Sequence, residues 1–350
     1  MSATPRSPRQ NPQTSRPGAL SDTPARHAGR ALLAALVLLL GACGGTGGGD
    51  SGSAQDLVRS VSVDGRSHSY RLHIPAELSA VPAPMLVSLH GGASNAVLND
   101  VVTQLSTKAD SASFVLLAAN GYTDNANSVL YTWNAGACCD PAAADHIDQV
   151  KVLRAMLDDA ATVVAINPKR VFAAGYSNGG MMAYRLACEL SDRIAAIGVV
   201  AGEMMDKDLT LGLERTVFEC NPPRAVPIFH MHGLSDNCAL FEGGVGNGAQ
   251  PRPPRSAVPD NIAFWSEHNG CTTGPTQTYT QGDARCETHS GCNSGADVVL
   301  CTVDSGGHIW PGSPASSYPS ELQDACGGTT TQNLRANDQL WEFFKAHPMP

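Results

Sequence analysis

Two hydrophobic rhythms alternate along this chain. Residues 58–63 and 67–74 place apolar and polar side chains in turn, as half-buried strands do, and Asp64-Gly65 between them is a hairpin signal. Residues 85–89, 114–119, 170–174, 195–200, 226–231 and 298–303 are instead short continuous apolar or β-prone runs, the pattern of strands covered on both faces. Helical spacing fills several of the gaps. It predicts helices over 96–109, over 146–164 ahead of the Asn167-Pro168 break, over 180–190, and over 332–346, where Leu334, Leu340, Phe343 and Phe344 form the apolar stripe. Antiparallel entry followed by strand-helix alternation predicts a single α/β domain with a mainly parallel sheet and helices on both faces. A long loop surrounds Trp133, and no internal repeat or linker divides the pattern.

The first residues follow neither rhythm. Five arginines and one aspartate precede an uncharged run over 31–40, too short to span a membrane and right for the apolar region of a signal peptide. Leu40-Gly41-Ala42-Cys43 resembles a bacterial lipoprotein cleavage box, in which Cys43 is lipidated and becomes the new N-terminus. The Gly/Ser-rich stretch that follows has the composition of a flexible tether. The expected organisation is therefore a signal peptide over 1–42, a tether over 43–56 and one α/β domain over 57–350, exported and anchored to a membrane by lipid.

Composition narrows the function. The formal charge of −9 over 350 residues, without a basic run, excludes a phosphate-tracking surface and hence a nucleic-acid partner. Ten cysteines remain after Cys43, an even number that reads as disulfides in an exported chain, with pairing left open. No paired C-x-x-C ligand set argues for zinc.

Gly175-Tyr176-Ser177-Asn178-Gly179 sits where a strand runs into a helix. A serine at the tip of so sharp a turn needs small neighbours, which Gly175 and Gly179 supply, so Ser177 is the candidate nucleophile of a strand-turn-helix elbow. A serine hydroxyl needs a histidine base, and that histidine needs an acid to fix its tautomer. In hydrolases built on such an elbow, acid and base follow the serine in that order. His308, in the glycine-rich loop after the last predicted strand, is the candidate base, ahead of His289 and His347. Asp236, just past the strand over 226–231, is the candidate acid, and Asp304 is its rival. His230 and His232 share one face of that strand, but no further ligands stand at metal spacing, and no metal site is expected. Donors for an oxyanion are expected from the backbone N–H of Asn178 and, in His90-Gly91-Gly92 after the strand over 85–89, of Gly92. Trp133 and Trp310 are candidates for lining an apolar acyl pocket, or else for core packing.

Taken together, these segments resemble the polyhydroxybutyrate depolymerase-like esterases, a group with feruloyl and acetylxylan esterase relatives and the α/β-hydrolase fold. The likeness runs from about Val61 to His347. Its more specific markers are Gly175 to Met181, Trp133-Asn134-Ala135-Gly136 followed by Cys138-Cys139, and Gly307-His308-Ile309-Trp310-Pro311-Gly312. It implies a serine esterase that works through an acyl-enzyme with Ser177, Asp236 and His308, without metal or organic cofactor. Its substrates would be hydroxyalkanoate oligomers or small acyl or aryl esters, with acyl groups of plant polysaccharide as the alternative and a non-catalytic binding lipoprotein as the reading from another class. The chain departs from the group at His146-Ile147-Asp148-Gln149, where only Asp148 matches a common aspartate pair, and over 237–244 and 250–259, segments expected to border the pocket.

Overall fold

The structure, a computed structural model, describes residues 53–205, 218–247 and 255–350. The expected signal peptide and the first ten residues of the tether, Cys43 among them, lie outside the described residues, as does half of the segment over 250–259, and the last two tether residues already belong to the first strand. Among the described residues no helix is long and apolar enough to cross a membrane.

The expected hairpin forms as β1 (Gln55–Val63) and β2 (Arg66–Ile74), with Asp64 and Gly65 both at positive φ in the turn. The continuous apolar runs become β3 (Ala83–Leu89), β4 (Val115–Ala119), β5 (Ile166–Tyr176), β6 (Ile197–Val200), β7 (Ile228–Gly233) and β10 (Val298–Val303). They lie parallel in one ten-stranded sheet of order β1-β2-β4-β3-β5-β6-β7-β10-β9-β8, antiparallel at both ends. Their apolarity follows from burial on both faces. Met85, Val87 and Leu89 pack on the side of α3 (Gln149–Ala161), α4 (Asn178–Glu189) and α5 (Val258–His268). Leu86, Leu116 and Phe172 point the other way, toward α2 (Leu105–Ala112) and α7 (Ala336–Ala346), where Phe172 stacks on Phe344 at 4.8 Å. This is the architecture of the α/β-hydrolase fold.

Three features differ from the sequence expectation. The helix expected over 96–109 is two helices, α1 (Ala96–Thr103) and α2, broken at Gln104 with φ 54°. Asp100 enforces the break by accepting the Ser106 N–H at 2.9 Å, so its carboxylate caps the second helix. The antiparallel pair β8 (Thr273–Gln281) and β9 (Ala284–Ser290) extends the sheet beyond β10, although β8 is polar and almost wholly exposed and so carries no alternation to read. Helices α5 and α6 (Ser320–Cys326) fill regions to which the hydrophobic pattern assigns no element.

All ten cysteines after Cys43 are paired, as Cys138–Cys139, Cys188–Cys220, Cys238–Cys326, Cys271–Cys292 and Cys286–Cys301.

Candidate active site

β5 ends at Tyr176, and Ser177 turns the chain into α4 with φ 55° and ψ −122°. A non-glycine residue with positive φ is strained, and the packing around the elbow over-determines it. A Cβ on Gly175 would strike the carbonyl of Gly179, and one on Gly179 would strike that of Leu89, so both glycines are required by close backbone approach.

From this corner Ser177 Oγ lies 2.8 Å from His308 Nε2, and His308 Nδ1 lies 2.7 Å from Asp236 Oδ2. The three side chains come from the β5 elbow, the loop after β10 and the loop after β7, so three strands of the parallel run β5-β6-β7-β10 deliver them to one sheet edge. Asp236 is buried, and its other oxygen, Oδ1, accepts from the N–H groups of Cys238 and Ala239, each at 2.8 Å. Burial alone would raise its pKa, but the neighbouring His308, His232 and the Ala239 amide outweigh it and hold the carboxyl below its ordinary range. The ring of Tyr176 packs 5.2 Å from that of His308, and its hydroxyl donates to the His308 carbonyl at 2.6 Å, fixing the histidine loop. The rival Asp304 is exposed and pairs with Arg285.

Gly91 and Gly92 lie against the same corner. A Cβ on Gly91 would stand 3.5 Å from Ser177 Cβ, and one on Gly92 3.6 Å from Asn178 Cβ. The structure thus brings Ser177, Asn178, Gly92, Asp236 and His308 together at one edge.

The mouth opens into a cavity of about 560 Å³ whose walls include Leu98, Val101, Met181, Tyr318 and Leu322 as well as Ser177 and His308. Trp133 and Trp310 are absent from these walls, which corrects the acyl-pocket expectation. Both are buried, Trp133 against the His90-Gly91-Gly92 loop with its Nε1 donating to the His90 carbonyl at 2.8 Å, and Trp310 with its Nε1 on Asn337 at 2.9 Å. Each indole N–H is thereby satisfied in the core. Asp148, the one match to the aspartate pair, is the N-cap of α3. His230 and His232 share a buried chain of hydrogen bonds: Tyr184 hydroxyl to His230, His230 to His232 at 3.1 Å, and His232 to the Ala239 carbonyl at 2.7 Å.

Two charged residues escape the sequence reading: Arg255, in the cavity wall, and Glu203, its buried partner. Glu203, just after β6, is fully buried, and its Oε2 lies 3.4 Å from Arg255 Nη1, which also donates to the Cys238 carbonyl at 3.0 Å. Burial raises the Glu203 pKa and Arg255 opposes it. The available signal was positional: a carboxylate placed directly after an apolar strand end, in Ala201-Gly202-Glu203.

The fold and this triad are those of the α/β-hydrolase serine-esterase superfamily. No family model matches the chain. It is 34% identical over 177 residues to feruloyl esterase B of Piromyces equi, covering 50% of this chain and 31% of that protein, so it spans about a third of that relative's length. It is 27% identical over 310 residues to the putative esterase NocK of Nocardia uniformis subsp. tsuyamanensis, covering 83% of each chain. Among solved structures, native sOPH superposes with a TM-score of 0.52 at 16% identity, over 83% of this chain and 87% of that one, a likeness of fold.

Proposed function

We propose that the protein hydrolyses carboxylic esters through an acyl-enzyme, with Ser177 as nucleophile, His308 as general base and Asp236 as its orienting acid. The observation that carries this reading is the unbroken line of hydrogen bonds from Asp236 through His308 to Ser177. Asp236 accepts a hydrogen bond from the His308 Nδ1–H, which leaves the Nε2 lone pair to take the proton of Ser177 as Oγ attacks the ester carbonyl. The N–H groups of Gly92 and Asn178 receive the developing oxyanion. His308 then protonates the leaving alcohol and activates the water that releases the acid.

The walls of the cavity suit an apolar acyl or aryl group, in keeping with hydroxyalkanoate oligomers or small acyl and aryl esters. The likeness to feruloyl esterase B favours a second reading, removal of acyl groups from plant polysaccharide. Export is supported by the apolar run over 31–40 and by the disulfides, and lipidation of Cys43 by the residues before it.

A fluorophosphonate probe tests the central claim: it should label the wild-type protein and leave Ser177→Ala unlabelled. A folded wild type that resists the probe would exclude the enzyme reading and leave a binding protein. Comparing kcat/KM for hydroxybutyrate oligomers, methyl ferulate and acetylated xylan then separates the two substrate readings.

A further inference from the structure

Helix α1 is turned inside out. A surface helix ordinarily buries its apolar stripe and exposes its polar one. Here Asn99 and Thr103 are 4% and 2% exposed, whereas Val97, Leu98 and Val101 are 49%, 46% and 56% exposed. The inward face is poorly served by this: Asn99 Nδ2 reaches Ser88 Oγ, but Asn99 Oδ1 and Thr103 Oγ1 are buried without partners. Asn95, which caps α1, also donates to the Val129 carbonyl at 2.9 Å and so holds a second apolar pair beside the helix, Val129 at 66% and Leu130 at 44% exposure. Nine large apolar side chains are exposed among the described residues, and five of them are these, so the patch is not ordinary scatter.

The patch is continuous with the catalytic cavity, because Leu98 and Val101 belong to both. We propose that it is an apolar subsite for the part of an ester that extends out of the cavity, and that its occupant is an aliphatic chain. This rests on the ester-hydrolase reading. An ester whose carbonyl sits at Ser177 and whose chain outgrows the cavity has an apolar way out over Leu98 and Val101, both exposed and both in the cavity wall, and Val97, Val129 and Leu130 extend that apolar surface. A second copy of the chain fits less well. Five half-exposed side chains offer roughly 400–500 Å² of surface, against the ~800 Å² per partner of a stable complex.

The test compares the full chain with Val97→Gln/Val129→Gln, two positions outside the cavity wall, on p-nitrophenyl acetate and p-nitrophenyl dodecanoate. The double variant should keep kcat/KM for the acetate within about twofold and lose roughly tenfold on the dodecanoate, since only the longer chain reaches the patch. Equal losses on both esters, or none on either, would overturn the proposal. So would a wild-type dimer that the substitutions dissociate. A readout free of turnover separates this from the catalytic reading: in a Ser177→Ala background, the protein should float with trilaurin droplets and the patch variant should not. If the wild type cleaves neither ester but Ser177→Ala still floats, the hydrolase reading falls and the subsite stands as an aliphatic-binding surface. Leu130→Gln repeats the comparison from the loop should the pair lower the melting temperature.

Discussion

Asn178 grips the main chain of Trp133 with both ends of its amide: Oδ1 accepts from the Trp133 N–H at 2.7 Å, and Nδ2 donates to the Trp133 carbonyl at 3.1 Å. Trp133 in turn holds the His90 carbonyl through its indole. The side chain next to Ser177 therefore braces the loop that carries Gly91 and Gly92, while the backbone N–H of Asn178 remains available to a substrate.

Removing that brace should separate structure from chemistry. Asn178→Ala leaves the backbone N–H in place but strips two buried hydrogen bonds and orphans the Trp133 amide, a loss of ~2–4 kcal/mol in urea denaturation. Asn178→Asp keeps the acceptor but sets an oxygen against the Trp133 carbonyl, so it should be no more stable than the alanine variant. In both, kcat should fall by about an order of magnitude or more with a smaller change in KM, because a displaced oxyanion donor acts mainly on the transition state.

Through Arg255, which also donates to the Cys238 carbonyl, the buried pair Glu203–Arg255 joins the loop after β6 to the loop that carries Asp236. Glu203→Gln removes one charge and leaves Arg255 buried without its partner, a change that typically costs ~3–5 kcal/mol. Glu203→Gln/Arg255→Met should recover most of this, since an apolar replacement leaves no orphaned charge. A double-mutant cycle by chemical denaturation measures the coupling, and simple additivity of the two single changes would show that the pair does not act as a unit.

His90 makes the fold sensitive to acid. Its Nδ1 lies 2.6 Å from the Gly91 carbonyl and its Nε2 accepts the Gly121 N–H at 3.0 Å, a pattern that only the neutral Nδ1–H tautomer satisfies. Burial pushes its pKa down from 6.5 to about 4, and burial pushes that of His230 down as well. With both depressed in the folded state, the unfolded chain binds more protons below pH 6.5. Stability is thus full above that pH and is lost as pH falls through the folded value, on the order of 3 kcal/mol for His90 by pH 4. Urea denaturation between pH 7 and 4 should show this slope, and His90→Gln should flatten it by about one proton's worth, ~1.4 kcal/mol per pH unit.

The fold was legible where one rule governed a segment. Runs such as 85–89 and 298–303 are apolar because both their faces are covered, and the hairpin at Asp64-Gly65 obeys turn chemistry alone. Legibility failed where tertiary contacts decided. β8 is held by its pairing with β9 rather than by any buried face, so its polar sequence gave no period. The break at Gln104 depends on a carboxylate four residues upstream reaching a backbone amide two residues beyond. At the site, glycines and strand ends pointed to Ser177, Asp236, His308 and Gly92, because close backbone approach and sheet topology leave local marks. Trp133 and Trp310 read ambiguously, since an indole facing a ligand and one braced in the core have the same sequence. Glu203 and Arg255, 52 residues apart, meet only in three dimensions.

The disulfides allow a sharper comparison, because two of them differ in where they act. Cys238–Cys326 spans 88 residues and sits on the acid loop: Asp236 Oδ1 is bound by the Cys238 N–H, and the Asn237 N–H donates to the Cys326 carbonyl at 2.7 Å. Cys271–Cys292 spans 21 residues and ties the turn after α5 to the end of β9, away from the cavity. By loop-closure entropy the first should contribute roughly 4–5 kcal/mol and the second roughly 3 kcal/mol, so their removal would look similar in a melting experiment. Catalysis should tell them apart. Cys238→Ala/Cys326→Ala releases the loop that aims the carboxylate at His308, and kcat per folded molecule should drop at least tenfold at temperatures where the protein remains folded. Cys271→Ala/Cys292→Ala should lose stability while keeping kcat within about twofold, because no triad residue lies on the strands it joins. Titrating active sites with the fluorophosphonate normalises each rate to folded enzyme, and equal kcat values in the two pairs would show that the hydrogen bonds around Asp236 hold the acid loop without the bridge.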